Sequence, residues 1–449
     1  MNGMALLISV SGLAIVPLVS YCVFKQTVLD VTSPKMNPWP LLWYFDIALV
    51  LIPLVIVSSF GVESIPVLFK SVSGTETGIA VVVIVTLIAY IVSLSLFLRL
   101  FQFHGRLPQR NTIAIKSRLR KVVLSLSLLG LLLIGSFYLL GYKHAFVTTI
   151  VRREPLLQIR LANQYSSRVP SQVQSILWVV GYLLAACGGY LGTLDEEHSL
   201  VALGISLFVL AAPGDKAPPI WGLLIWLLAR GFLMPRKLIS IRSFVYFSVL
   251  ILCALSIVYI VVSMQMNELT LPQFFRYLVN RLGVGQMAGV YETFGLARNG
   301  MLPKGDFYWH MFPGARMFVD YTDYQKVLMM VTEGYGYSEM GVKNTYFIAE
   351  AYAIGGVPLL LASPVIVAFS TALGLAILKL LLGQIVGREV CGPVATLLYF
   401  KTQSITGGFS HFPLQKGLIL ISAYLLIIWL FCLIVDGLRK WVVGISARR

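Results

Sequence analysis

The sequence predicts an all-α polytopic integral membrane protein, and three observations carry that prediction. Of 449 residues, 58% are apolar and only 12% are Asp, Glu, Lys or Arg, whereas an ordinary soluble domain carries about a quarter charged residues. The mean hydropathy is +0.84. Apolar runs of about 20 residues, the length that crosses ~30 Å of hydrocarbon as a helix, recur along the whole chain. Together they exclude a water-soluble enzyme, a disordered chain and a disulfide scaffold.

The first run, 4–24, follows no basic region and precedes no small-residue cleavage site, so it is expected to be a retained span and not a signal peptide. Further regular runs are 41–60, 77–98, 122–142, 173–192, 244–264 and 417–435. Two shorter ones, 199–212 and 220–234, meet at a Pro/Gly-rich break that contains Lys216. The stretch 345–378 exceeds one span and includes Gly355, Gly356, Pro358 and Pro364, while 390–402 is short and ends near Lys401. The expectation is about eleven transmembrane helices, in a range of about 10 to 13, forming one multi-span domain. Cys22, Cys187, Cys253, Cys391 and Cys432 all fall in or beside apolar runs, with no CxxC or Cys/His spacing, so they are expected to be small buried hydrophobes.

Two segments are too polar to span. Residues 143–172 form a basic loop, and residues 265–344 form a loop long enough to hold helices of its own. Within the second, 271–294 places Phe274, Tyr277, Leu278, Leu282 and Met287 at helical spacing with Arg276 and Arg281 between them. That pattern predicts an amphipathic helix at the membrane surface.

The 35 cations against 19 acids give a net charge of +16. Counted by alternate loops, 19 cations fall on one side, concentrated in short loops such as 99–121 and at the C-terminus, and 16 on the other. Short basic loops mark the cytoplasmic face, so the C-terminus is expected inside and both long polar loops outside. Lys143, Arg152, Arg153, Arg160 and Arg168 then crowd an outer loop whose only acid is Glu154. Guanidinium groups in such a place suit an anionic ligand, because Arg presents paired donors to phosphate or carboxylate. An ordinary loop outside the reach of the charge bias explains the same composition. No P-loop, GxSxG or HExxH pattern is present.

Single residues stand out as site candidates. Glu350, in Ala349-Glu350-Ala351-Tyr352, is a carboxylate at the start of a span, where an acid is costly and marks function or an interfacial ion pair. Lys216 lies either in an ordinary turn or in a broken helix pair that puts a cation in a cavity. Arg160 and Arg281 sit among aromatic and amide neighbours (Asn163, Gln164, Tyr165; Phe275, Tyr277, Asn280). The stretch Trp309-His310-Met311-Phe312-Pro313-Gly314-Ala315-Arg316 joins a lone histidine to an arginine and aromatic rings. Asp46 and Lys401 read as structural partners.

This layout resembles the O-antigen polymerases (Wzy-type) and the wider group of oligosaccharide repeat-unit polymerases. The local matches are Arg160 with Asn163-Gln164-Tyr165, Gly214-Asp215-Lys216, Arg281 after an aromatic run, Phe312-Pro313-Gly314-Ala315-Arg316, and the segment from Asn344 to Gly356. The resemblance implies an enzyme of the bacterial inner membrane whose active site faces the periplasm. Such an enzyme moves a growing glycan from undecaprenyl pyrophosphate onto the terminal sugar of the next lipid-linked repeat unit. It implies that Arg153, Arg160, Lys216, Arg281 and Arg316 bind pyrophosphate and glycan, with Glu350 or His310 deprotonating or orienting the acceptor hydroxyl. No metal, nucleotide or other cofactor is expected, and no nucleic-acid partner; a flippase and a chain-length regulator of the same pathway are the expected protein partners. The alternatives are an O-antigen ligase, which passes the same glycan to lipid A–core, and a lipid-linked oligosaccharide flippase or anion transporter. A transporter more often shows repeats and charges inside its spans.

Overall fold

In the computed structural model the described residues are 3–30, 39–61, 75–101, 112–154, 156–165, 167–192, 194–215, 217–232, six scattered positions between 245 and 259, 270–278, 284–312, 315, 318–334, 344–388 and 390–446. Among them there is no strand. Seven helices are long and apolar enough to cross a membrane: 3–23, 40–60, 76–100, 115–139, 172–191, 348–385 and 417–439. The protein is a polytopic, all-helical membrane protein.

In chain order the helices are α1 (Gly3–Val23), α2 (Pro40–Phe60), α3 (Glu76–Leu100), α4 (Thr112–Leu139), α5 (Ala145–Arg152), α6 (Leu156–Tyr165), α7 (Ile176–Leu191), α8 (Glu196–Ala211), α9 (Ala217–Phe232), α10 (Leu271–Leu278), α11 (Ala288–Arg298), α12 (Tyr324–Glu333), α13 (Ile348–Ile385), α14 (Cys391–Thr402) and α15 (Lys416–Ser446). Helices α8 and α9, of 16 residues each, and α14, of 12, rise about 24 Å and about 18 Å, less than a full hydrocarbon thickness. The run 244–264 lies largely outside the described residues.

Helix α7 is central, and all of its residues except Trp178 are buried. Its glycines make this packing close. A β-carbon on Gly188 would lie 2.6 Å from the Ala202 methyl, and one on Gly181 would strike Leu210. Across the same seam Ser199 Oγ donates to the Gly188 carbonyl at 2.6 Å and Ser206 Oγ to that of Gly181 at 2.9 Å. Small residues with short hydroxyl bonds are how helices associate where lipid removes the hydrophobic drive.

Three boundaries differ from the sequence expectation, each for a physical reason. The helix expected from 122 begins at Thr112, because its basic first turns find partners. Lys116 pairs with Asp195 at 3.8 Å, Lys121 with Asp436 at 3.4 Å, and Arg118 donates to the Gln384 carbonyl at 3.0 Å. The single amphipathic helix expected over 271–294 is not formed. Helix α10 and helix α11 are separate, with a 3₁₀ turn at Val284–Gln286, and α11 is buried against the bundle where a surface helix was expected. The long apolar stretch from 345 becomes α13, broken at Gly355 (φ −136°) and Gly356 (φ 62°, ψ −153°), a backbone that only glycine adopts without strain.

The bundle has two chemically distinct ends. One gathers the end of α3, the first turns of α4, the turn before α8, and the last turns of α9, α13 and α15; there Arg230 pairs with Glu196 at 2.6 Å and Arg99 donates to the Val23 carbonyl at 2.9 Å. The described parts of both long polar segments sit at the opposite end. The Ala145 amide donates to the Ala212 carbonyl at 3.0 Å, Ser175 Oγ meets the Tyr424 hydroxyl at 2.9 Å, and Ser410 Oγ meets His310 at 2.8 Å.

Candidate functional site

At the polar end, four segments far apart in sequence converge on one buried group of titratable side chains. His310 comes from a 3₁₀ turn, Phe307–Met311. Asp323 is the N-cap of α12, its Oδ1 accepting the Gln325 amide at 2.9 Å. Glu350 lies in the first turn of α13, and Ser410 in the 403–412 loop that follows α14. Ser410 ties the group together: its amide donates to Glu350 Oε2 at 3.1 Å and its hydroxyl meets His310 Nδ1 at 2.8 Å. The entry to α13 is pinned by the same loop, Tyr346 and Phe347 donating their amides to the Thr406 and Ile405 carbonyls at 3.0 and 3.2 Å. Tyr346 is held there at φ 36°, in the left-handed region that a bulky side chain rarely occupies, and such strain gathers at functional sites.

The imidazole lies between the two acids. His310 Nδ1 is 3.8 Å from Glu350 Oε1, and Nε2 is 3.7 Å from Asp323 Oδ2. Glu350 is fully buried and its Oε1 has no hydrogen-bond partner, whereas His310 keeps 9% of its surface exposed. The His411 ring lies 5.5 Å from that of His310. His310, Asp323 and Glu350 offer ligand atoms within 4.8 Å of one another. The acids, however, address opposite nitrogens of one ring, so a single ion does not take the nearest atom of all three. The arrangement places one imidazole between two carboxylates, with its ring nitrogens in reach of both. Tyr308 and Phe312, large and exposed, and the half-buried Trp309 adjoin the histidine.

A second feature at the same end is a cavity of about 750 Å³ between α6, α7, α9, α14 and α15, whose lining includes Arg160, Tyr182, Asp215, Tyr277, Lys401 and Tyr424. Arg160 pairs with Asp215 at 3.0 Å. Burial pushes the Asp215 carboxyl above the ordinary range, and Arg160 offsets this only in part. Lys401 stacks over Trp221, 3.8 Å from the ring centroid, and Asp46 of α2 faces both Lys401 and the Ser404–Ile405 stretch. The loop that carries Ser410 thus begins beside the cavity.

Two of the residues singled out in the sequence, His310 and Glu350, are therefore neighbours, and a third, Arg160, lines the cavity. Arg153 caps α5 at φ 56°, exposed, and is not part of the cavity lining. Lys216, Arg281 and Arg316 lie outside the described residues, as do Pro313 and Gly314. The sequence did not single out Asp323 or Ser410. An aspartate three residues into a polar stretch before Tyr324 is a helix-start signal, but nothing in it announces a histidine 13 positions earlier as its neighbour.

The chain matches no family model, no curated protein and no solved structure.

Proposed function

We propose that the chain is an inner-membrane polysaccharide polymerase, acting at the periplasmic face on glycans carried by undecaprenyl pyrophosphate. The observation that carries the reading is the His310–Glu350 contact at 3.8 Å, placed at the same end of the bundle as the Arg160 cavity. An acceptor sugar hydroxyl attacks the anomeric carbon of the donor, the bond from that carbon to the pyrophosphate oxygen breaks, and the pyrophosphate leaves with the electron pair. In the Nδ1–H tautomer, donated toward Ser410 Oγ, His310 Nε2 accepts the hydroxyl proton, and Glu350 and Asp323 stabilise the resulting imidazolium. Glu350 is fully buried and acts through His310 as a positioning residue. Arg160, with Lys216, Arg281 and Arg316, neutralises the leaving pyrophosphate, where fixed cations supply the largest stabilisation. No ion enters this scheme.

Deleting the gene and separating lipopolysaccharide on a gel tests the proposal. A polymerase leaves core bearing a single repeat unit. Complete loss of glycan from the core points to the ligase or flippase alternative and overturns the reading.

A further inference from the structure

At the basic end of the bundle, α4, α13 and α15 enclose a cavity of about 550 Å³ whose polar lining includes Arg118, Lys121, Asp436 and Arg439. Asp436 takes Lys121 at 3.4 Å, so three cations face a single acid and the groove keeps a positive surplus. Arg118 is held in place rather than waving in solvent: its Nη2 donates to the Gly383 and Gln384 carbonyls at 3.3 and 3.0 Å. A guanidinium has five donors, so others stay available to an anion. A second cavity of about 480 Å³ shares Gln384 and adds Lys379 and Arg388, with no acid in its lining.

The other wall of the first cavity is apolar. Leu124 and Leu433, both exposed on the outer surface of the bundle, line it together with Trp429. The cations lie within about two turns of the helix ends and the apolar side chains about one to three turns deeper, which is the order in which a phospholipid presents its headgroup and its chain.

We propose that this groove is a binding site for one anionic phospholipid, with the phosphodiester between Arg118 and Arg439 and an acyl chain along Leu124, Trp429 and Leu433. A free phosphate satisfies the cations and leaves the apolar wall unused. The site lies at the end of the bundle opposite the His310 cluster and does not depend on the catalytic reading.

The test uses the full chain, purified in detergent and examined by native mass spectrometry with added phosphatidylglycerol or phosphatidylcholine. Phosphatidylglycerol is expected to be retained in preference. The R118A/R439A pair is expected to weaken retention about thirtyfold, at about 1 kcal/mol for each cation near the headgroup. R439A alone and R118K guard against loss of fold, since the first touches no helix-end carbonyl and the second keeps the charge; R439A is expected to weaken retention about fivefold and R118K less. Lys25→Ala, at the same end of the bundle but beside Tyr21, is expected to change nothing. Equal retention of the two lipids, wild-type retention by R439A and the pair, or an equal loss in K25A overturns the proposal. So does displacement of the lipid by inorganic phosphate at equal concentration, which would make the ligand a free anion.

Discussion

Gly408 packs directly against the carboxylate of Glu350, so closely that no β-carbon fits between them, and the same β-carbon would lie 2.8 Å from Gln325 Nε2. The glycine therefore fixes where the acid can stand. Gly408→Ala is expected to push Glu350 away from His310 and to cost about 1–3 kcal/mol of stability. It should shorten or abolish the glycan ladder while the protein still reaches the membrane. A full-length ladder in that variant would show that the close approach has no bearing on activity.

Glu350→Gln keeps the shape of the side chain and an oxygen for the Ser410 amide, but removes the charge beside His310. If the charge matters, turnover should fall by about 10²–10⁴, and Glu350→Asp should recover part of it. Polymerisation measured with lipid-linked repeat units checks this, alongside a melting curve. Near-normal turnover in the Gln variant would assign Glu350 a purely structural hydrogen bond.

Arg160 and Asp215 are both partly exposed, so their ion pair contributes little to stability, under about 1 kcal/mol. Arg160→Ala should leave the melting temperature nearly unchanged and raise KM for the lipid-linked donor about tenfold, the loss of one charge-assisted hydrogen bond. An unchanged KM removes Arg160 from the substrate path.

His144 caps α5: its Nδ1 accepts the Val147 amide at 3.4 Å while Nε2 meets the Phe208 carbonyl at 2.9 Å, and its ring stacks on Phe208. The Val147 bond needs the neutral ring with its proton on Nε2, whereas the Phe208 bond survives protonation. Burial lowers the pKa below the ordinary 6.5. A depressed folded value means that the contribution is present above the unfolded value and is lost as pH falls through the folded one. Amide exchange at the start of α5 should therefore quicken as pH falls below the ordinary imidazole value of 6.5. His144→Asn, a good cap that does not titrate, should flatten that dependence.

The membrane class, the approximate helix positions and the two polar segments are all legible in the sequence, because apolar run length alone decides them. Helix α4 shows the limit. Its extra turns rest on Asp195, Asp436 and the Gln384 carbonyl, partners tens to hundreds of positions away that no local pattern reveals. The candidate site divides in the same way. Glu350 is conspicuous because an acid in an apolar run is costly, and His310 because aromatic and basic residues surround it. Asp323 and Ser410 are ordinary polar residues in polar loops, and only the fold brings them to the imidazole. Ser410 lies 100 residues from His310.

The glycine break in α13 falls barely more than a turn beyond Glu350. Before the break, Glu350 takes the Ser410 amide while Ile348, Ala349 and Ala351 are buried in the core; after it, the 357–385 portion carries the long apolar face. The turn that bears the carboxylate is thus held from two sides, by the loop and by the core. With the backbone broken at Gly355 and Gly356, the direction of the long spanning portion is set separately from the short turn that holds the acid.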